Sequence, residues 1–120
     1  MKALVTGGAG FIGSHLCQRL LDRGVEVICV DSLVCGRLKN LDEFKGNQNF
    51  SFVQADIRDR KALLSSMKGV DWVFHLAGLA DIVPSIENPS LYFDMNVNGT
   101  LHVLECARET GVGRFLYAAS

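Results

Sequence analysis

VTGGAGFIGSHL, residues 5–16, carries four glycines that fit two overlapping phosphate-turn patterns. Gly8, Gly10 and Gly13 make G-x-G-x-x-G, while Gly7, Gly10 and Gly13 make G-x-x-G-x-x-G. Before the glycines stands KALVT, a short β-rich run. After them, FIGSHLCQRLLDRG is expected to form a helix with Ile12, Leu16, Leu20 and Leu21 on one face, ending at Gly24. A strand that passes through glycine directly into a helix presents unpaired N–H groups and the positive end of a helix dipole. The missing side chains also let a diphosphate come close. The glycines alone leave the register open, so the rest of the chain has to choose it.

Working outward, VEVICV has the length and composition of a strand, and a loop-like stretch around SLVCGRLKNL follows, with room for a short helix. NFSFVQAD alternates as a strand does, RDRKALLSSMKG has helical character, and VDWVFHLA is a fourth strand. ENPSLYFDMNVNGTLHVLECARETG is expected to carry one long helix from about residue 90 to a stop near Gly111, and RFLYAAS is a fifth strand. Strands and helices alternate throughout, which predicts an α/β fold: a Rossmann-type, doubly wound parallel sheet in the order 3-2-1-4-5, forming one domain over residues 1–120. Ligands of such sheets bind beyond the carboxyl ends of the strands, here TGGAG, VDS, ADI, HLAG and AAS.

Bulk properties narrow the function. The 120 residues are 48% hydrophobic with a formal net charge of −1, so electrostatics supply no reason to expect nucleic acid or an anionic membrane as partner. No apolar run approaches the roughly 20 residues of a membrane span. The first strand is expected to start immediately after Met1, so neither a signal peptide nor a location outside the cytoplasm is expected. Cys17, Cys29 and Cys106 fall in apolar patterns and Cys35 in a loop, and no Cys/His cluster has metal-ligand spacing. Reduced thiols and no metal are expected.

The strand ends offer a ligand site. Asp31 lies about 20 residues past the glycines, where a carboxylate can accept from a ribose 2′-hydroxyl and repel a 2′-phosphate, favouring NAD over NADP. Arg37 could oppose that preference if its loop folds back. Asp56, with the Ile57 backbone, stands where an adenine amino group could be met, although an aspartate at a strand end also serves as a helix cap. His75 reads as structural rather than catalytic. Asp81, Ser85 and Glu87 lie in the loop beyond it and form no triad. Asn96 or Asn98 could bond backbone across the top of the sheet.

TGGAGFIGSHL, Asp31, ADI, HLAG, NVNGT and FLYAAS together, in this order and spacing, resemble the extended short-chain dehydrogenase/reductase family, in particular its NAD-dependent sugar-nucleotide epimerases and dehydratases. The resemblance covers essentially the whole chain and implies the Gly7, Gly10, Gly13 register. It further implies that Gly7, Gly10, Phe11, Ile12 and Gly13 hold the pyrophosphate, Asp31 and Ser32 the ribose, and Asp56 and Ile57 the adenine. Leu76, Ala77 and Gly78 would line the cofactor, Asn96 would be the cofactor-site asparagine, and Ser120 the catalytic Ser/Thr. NAD is the implied cofactor, a nucleotide sugar the implied substrate, and a homodimer the implied assembly, formed through the long helix. Within that group the resemblance extends to the UDP-glucose 4-epimerases, although Ala80 stands where those carry a lysine.

One departure is larger. The family's chemistry uses a Tyr-x-x-x-Lys pair, in which the tyrosine takes a proton from a sugar hydroxyl as hydride moves to NAD. Here Tyr92 is followed four residues later by Asn96, and Tyr117 stands three residues from the last position. These residues are therefore expected to be the amino-terminal part of a longer enzyme, inactive alone and marginally stable or self-associating through an exposed fifth strand. The alternatives are a non-catalytic nucleotide-binding module and an NADP-dependent reductase of the same family.

Overall fold

The computed structural model describes residues Met1–Ser120. Five parallel strands, β1 (Lys2–Thr6), β2 (Glu26–Asp31), β3 (Phe50–Gln54), β4 (Trp72–His75) and β5 (Arg114–Tyr117), form one sheet in the order β3-β2-β1-β4-β5. Each neighbouring pair is parallel. Between them run α1 (Phe11–Asp22), a 3-10 helix (Leu38–Phe44), α2 (Arg60–Ser66), α3 (Ile82–Glu87), α4 (Pro89–Phe93) and α5 (Gly99–Thr110).

Strand alternation divides the core into two layers. Ala3 and Val5 of β1 and Val27 and Cys29 of β2 pack under Cys17 and Leu20 of α1 and under Leu41 and Phe44 of the 3-10 helix. Leu4, Ile28, Val30 and Val73 face the other way, against Leu63 and Met67 of α2 and Val103, Cys106 and Ala107 of α5. Right-handed crossovers require this arrangement: the chain winds outward over one face from β1 to β3, then crosses to β4 and winds over the other. The reversal falls between β1 and β4, whose carboxyl ends form the crevice where such sheets take ligands.

Three local expectations are corrected. The buried face of α1 runs through Gly13, Ser14, Cys17 and Leu20, whereas Ile12 is exposed. Leu20 is buried and Leu16 and Leu21 pack partly against the same core, so the expected face departs only at Ile12, where Gly13 seats the first turn against the glycine turn instead. The long helix is interrupted: Asp94–Asn98 form a π-turn between α4 and α5. The segment after β4 is not wholly loop, since α3 contains Ser85 and Glu87, with Asp81 at its N-cap.

Cys17, Cys29 and Cys106 are buried, Cys35 is exposed, and all four are free thiols. The thiol of Cys29 is pushed well above its ordinary range by hydrogen bonding with Cys17 and by burial, so this pair behaves as packing atoms. β5 forms one edge of the sheet, with Leu116 and Tyr117 exposed. Leu63 is fully buried between α5 and the sheet. Truncation by Leu63→Ala should cost about 2–5 kcal/mol, read as a lower denaturation midpoint at unchanged slope in urea.

Candidate cofactor site

The opening question of register is a steric one. Gly7 has φ +71°, and a Cβ there would stand 2.8 Å from the Ala77 amide nitrogen. A Cβ on Gly13 would collide with the Gly7 carbonyl oxygen and lie 2.7 Å from Gly8 Cα. Gly8 instead faces inward, where a Cβ would meet Cys29 Sγ at 2.5 Å. Gly7 and Gly10 line the cleft at the sheet crevice, and Gly8 does not. The turn is therefore built on Gly7, Gly10 and Gly13, with Gly8 spent on packing.

The α1 N-terminus emerges from this turn. Gly10 is its N-cap and contributes no side chain, and the backbone N–H groups of Phe11, Ile12 and Gly13 find no acceptor in the protein. Phe11 and Ile12 are themselves exposed. Three free amides at the positive end of a 12-residue helix, beside backbone with no Cβ, form a cradle for an anion such as a diphosphate.

The cleft, of about 130 Å³, is lined by Gly7, Gly10, Asp31, Ser32, Ile57, Leu76, Ala77 and Gly78, together with residues the sequence reading did not select, among them Val34, Ala55 and Met95. A second recess of about 370 Å³ lies on the other side of Leu76–Leu79 and includes Asn96, Tyr117 and Ser120. Phe11, Ile12, Gly13 and Asp56 line neither. Gly13 is buried behind the turn. Asp56 is held by Arg58, which donates from its backbone N–H and Nε to Oδ1 (2.8 and 3.0 Å) and from Nη2 to Oδ2 (2.8 Å). That guanidinium keeps the Asp56 carboxyl below its ordinary range. Nη1 of Arg58 also reaches Asp94 Oδ2 at 2.8 Å, tying the end of β3 to the π-turn.

The structure also separates Asn96 from Asn98. Asn96 Oδ1 accepts from the Leu79 N–H and its Nδ2 donates to the Leu79 carbonyl, both at 2.8 Å. Asn98 merely bonds Asp94 one turn earlier. Asp31, nearly buried, accepts from the Ala9 N–H (3.0 Å) and the Leu33 N–H (2.8 Å), so its carboxylate joins the second strand end to the glycine turn. The Arg37 side chain is exposed and makes no ion pair.

His75 is the centre of a closed network. Thr100 Oγ1 donates to the Asn96 carbonyl (2.7 Å), so toward His75 it can only accept, and Nε2 of His75 carries the proton (2.8 Å). Thr6 Oγ1 accepts from the Leu76 and Ala77 amides, both at 3.2 Å, and spends its own proton on His75 Nδ1 (2.7 Å). The hydrogen-bond balance selects one neutral tautomer. Thr6 precedes the glycines directly, and that adjacency was the only signal that could have found it.

Residues 3–120 match the NAD dependent epimerase/dehydratase family. The chain belongs to that family. A UDP-glucose 4-epimerase of Klebsiella pneumoniae is 38% identical over 124 aligned residues, covering 100% of this chain and 89% of that protein. One of Mycolicibacterium smegmatis is 40% identical, covering 100% of this chain and 39% of that protein. The crystal structure of UDP-glucose-4-epimerase from Stenotrophomonas maltophila, with bound NAD and formylated UDP-arabinopyranose, superposes with a TM-score of 0.92 at 37% identity, over 100% of this chain and 37% of that one. A dTDP-glucose 4,6-dehydratase from Streptomyces venezuelae, with NAD bound, gives a TM-score of 0.90 at 41% identity, over 96% and 38%. The family's cofactor is NAD, and this chain spans under two fifths of the length of most of these relatives. No helix is long and apolar enough to cross a membrane.

Burial lowers the His75 pKa from 6.5 to about 4. The unfolded chain thus takes up this proton first as pH falls, so the contribution of neutral His75 is complete above pH 6.5 and is lost toward pH 4. Over that window stability should drop by about 3 kcal/mol from this residue. Urea unfolding at stepped pH should show the loss, and His75→Gln should flatten it.

Proposed function

We propose that this chain binds NAD across the tops of its five strands and forms the cofactor-binding part of a sugar-nucleotide 4-epimerase. The observation that carries the reading is the glycine turn: Gly7 and Gly10 line a cleft that also contains Asp31, and the three unpaired helix amides follow directly after Gly10. In this reading Gly7, Gly10 and the amides of Phe11, Ile12 and Gly13 hold the diphosphate. Asp31 and Ser32 hold the adenosine ribose, and Ile57 presents backbone to the adenine. Asp56 reaches the adenine amino group with the lone pairs that Arg58 leaves free. Leu76, Ala77 and Gly78 form the wall along which the cofactor extends, held in place by Asn96 through Leu79.

NAD, when bound, supplies the acceptor and donor of a hydride. The substrate is a nucleoside-diphosphate hexose seated in the second recess, where Ser120 hydrogen-bonds the C4 hydroxyl. Oxidation at C4 followed by reduction from the opposite face inverts that carbon. Loss of water between the two steps would make a dehydratase instead. We place the base that removes the hydroxyl proton outside these residues, because no Tyr-x-x-x-Lys pair lies within them and Tyr92 has Asn96 four positions on. The 120 residues alone should therefore turn over no sugar. A cytoplasmic setting suits the four free thiols.

Titration calorimetry with NAD and NADP tests the cofactor reading. NAD should bind more tightly, and Asp31→Asn should narrow the difference. Tighter binding of NADP by the wild-type chain would remove the role given to Asp31.

We further propose that the whole protein is a homodimer. Phe93, Val97, Leu101 and Leu104, spaced by four, four and three residues along α4, the π-turn and α5, are 42–59% exposed and form an apolar stripe. A second copy of the same stripe would cover it. Light scattering should report a dimer that Leu101→Glu converts to monomer. Aggregation through the β5 edge would survive that substitution, and a wild-type monomer at high micromolar concentration would defeat the proposal.

A further inference from the structure

We infer that Asn40 is a positioning residue for the cofactor, acting through the backbone of Ala9; the inference rests on the NAD-binding reading above. Ala9 lies in the middle of the glycine turn and is fully buried. Its N–H donates to Asp31 Oδ2 at 3.0 Å. Its carbonyl accepts twice, from the Arg37 N–H at 3.0 Å and from Asn40 Nδ2 at 2.8 Å. The segment from residue 31 to residue 40 is thereby folded back around one residue of the turn.

The path of that segment is tightly constrained. Leu33 sits at φ +67° with its N–H on Asp31 Oδ1. A Cβ on Gly36 would stand 2.7 and 2.8 Å from the two Asp31 carboxylate oxygens and 2.9 Å from Ala9 Cβ. A left-handed leucine is held only where the surroundings impose it. The inner side of the segment, Ser32, Val34, Cys35 and Gly36, lines the cleft, whereas Asn40 does not. Asn40 stands on the far side, in a groove with His15, Gln18, Lys39 and Glu43. It therefore grips the loop from behind.

The chemistry demands an amide donor at this position. Any residue at 37 except proline supplies its backbone N–H, but the second bond to the Ala9 carbonyl needs a side-chain donor. Aspartate has the same shape and, when ionised, only accepts. It would set a negative oxygen against the carbonyl oxygen and loosen both the glycine turn and the loop. Protonated, it could donate again.

The test compares wild-type, Asn40→Asp and Asn40→Ala chains by NAD titration at pH 7 and pH 4.5, with amide hydrogen exchange at Ala9 and Arg37 measured without cofactor. The charged groups near position 40 are His15, Lys39 and Glu43 in the same groove, Arg37 on the same segment and Asp31 across Ala9. They are common to all three chains, so the ratio to wild type at each pH reports position 40. Asn40→Asp should bind NAD about tenfold more weakly at pH 7 and recover toward wild type at pH 4.5, while Asn40→Ala stays about threefold weaker at both. Exchange at Arg37 should quicken in both variants. Unchanged affinity, a loss without acid recovery of the aspartate variant, or unchanged Arg37 exchange would overturn the inference. If the wild-type chain binds no NAD, the cofactor reading fails by itself, and Arg37 exchange still decides whether Asn40 holds the turn.

Discussion

No side chain can stand between Gly7 and the backbone of Leu76–Ala77, and the arrangement of the crevice follows from that close approach. β1 and β4 are hydrogen-bonded neighbours whose carboxyl ends turn in different directions, one into α1 and the other toward α3. Only bare backbone at residue 7 lets the two turns meet while each keeps its own path. Thr6 locks the meeting point, because its hydroxyl serves both the Leu76 and Ala77 amides and the His75 ring. The wall between the two recesses is therefore an extension of the core rather than a loose loop.

A second set of ties reaches the same wall from the helical side. In a π-turn the backbone carries one extra residue within the helix, which changes which side chains share a face. Here the turn at Asp94–Asn98 sends Met95 into the cleft, Asn96 to Leu79 and Asp94 to Arg58. Thr100, just beyond, bonds both Asn96 and His75. The β3 side and the β4 side of the crevice are thus held by one helical segment, and an ordinary α-helix would present these side chains in a different register. His75, which the sequence reading takes as structural, joins that segment to β1 and β4.

Much of the architecture was legible in the sequence because it is written locally. Hydrophobic runs of strand length, glycines at the stops and acidic residues past the strands are properties of a few adjacent residues, and they predicted all five strands and their order. The glycines were legible as a phosphate turn, but not their division of labour. Gly8 belongs to the core because Cys29 lies beneath it, 21 positions further along. Ile12 was assigned to the buried face of α1 for a related reason: hydrophobic counting assumes that large apolar side chains seat a helix, whereas close backbone contact at Gly13 seats the first turn of this one.

What the sequence determined by itself is the kind of fold, the placing of a glycine turn at the start of a helix, and the presence of Asp31 at a strand top. Tertiary structure alone decided the partners of those groups: Arg58 on Asp56, Leu79 on Asn96, Ala9 between Asp31 and Asn40, and the tautomer of His75. The physical reason is directional. Periodicity records how much apolar surface a residue brings, and that sum is nearly independent of distant neighbours. A hydrogen bond requires a donor and an acceptor within about 3 Å at a set angle, and only the assembled sheet brings residues 6, 75 and 100 to that distance.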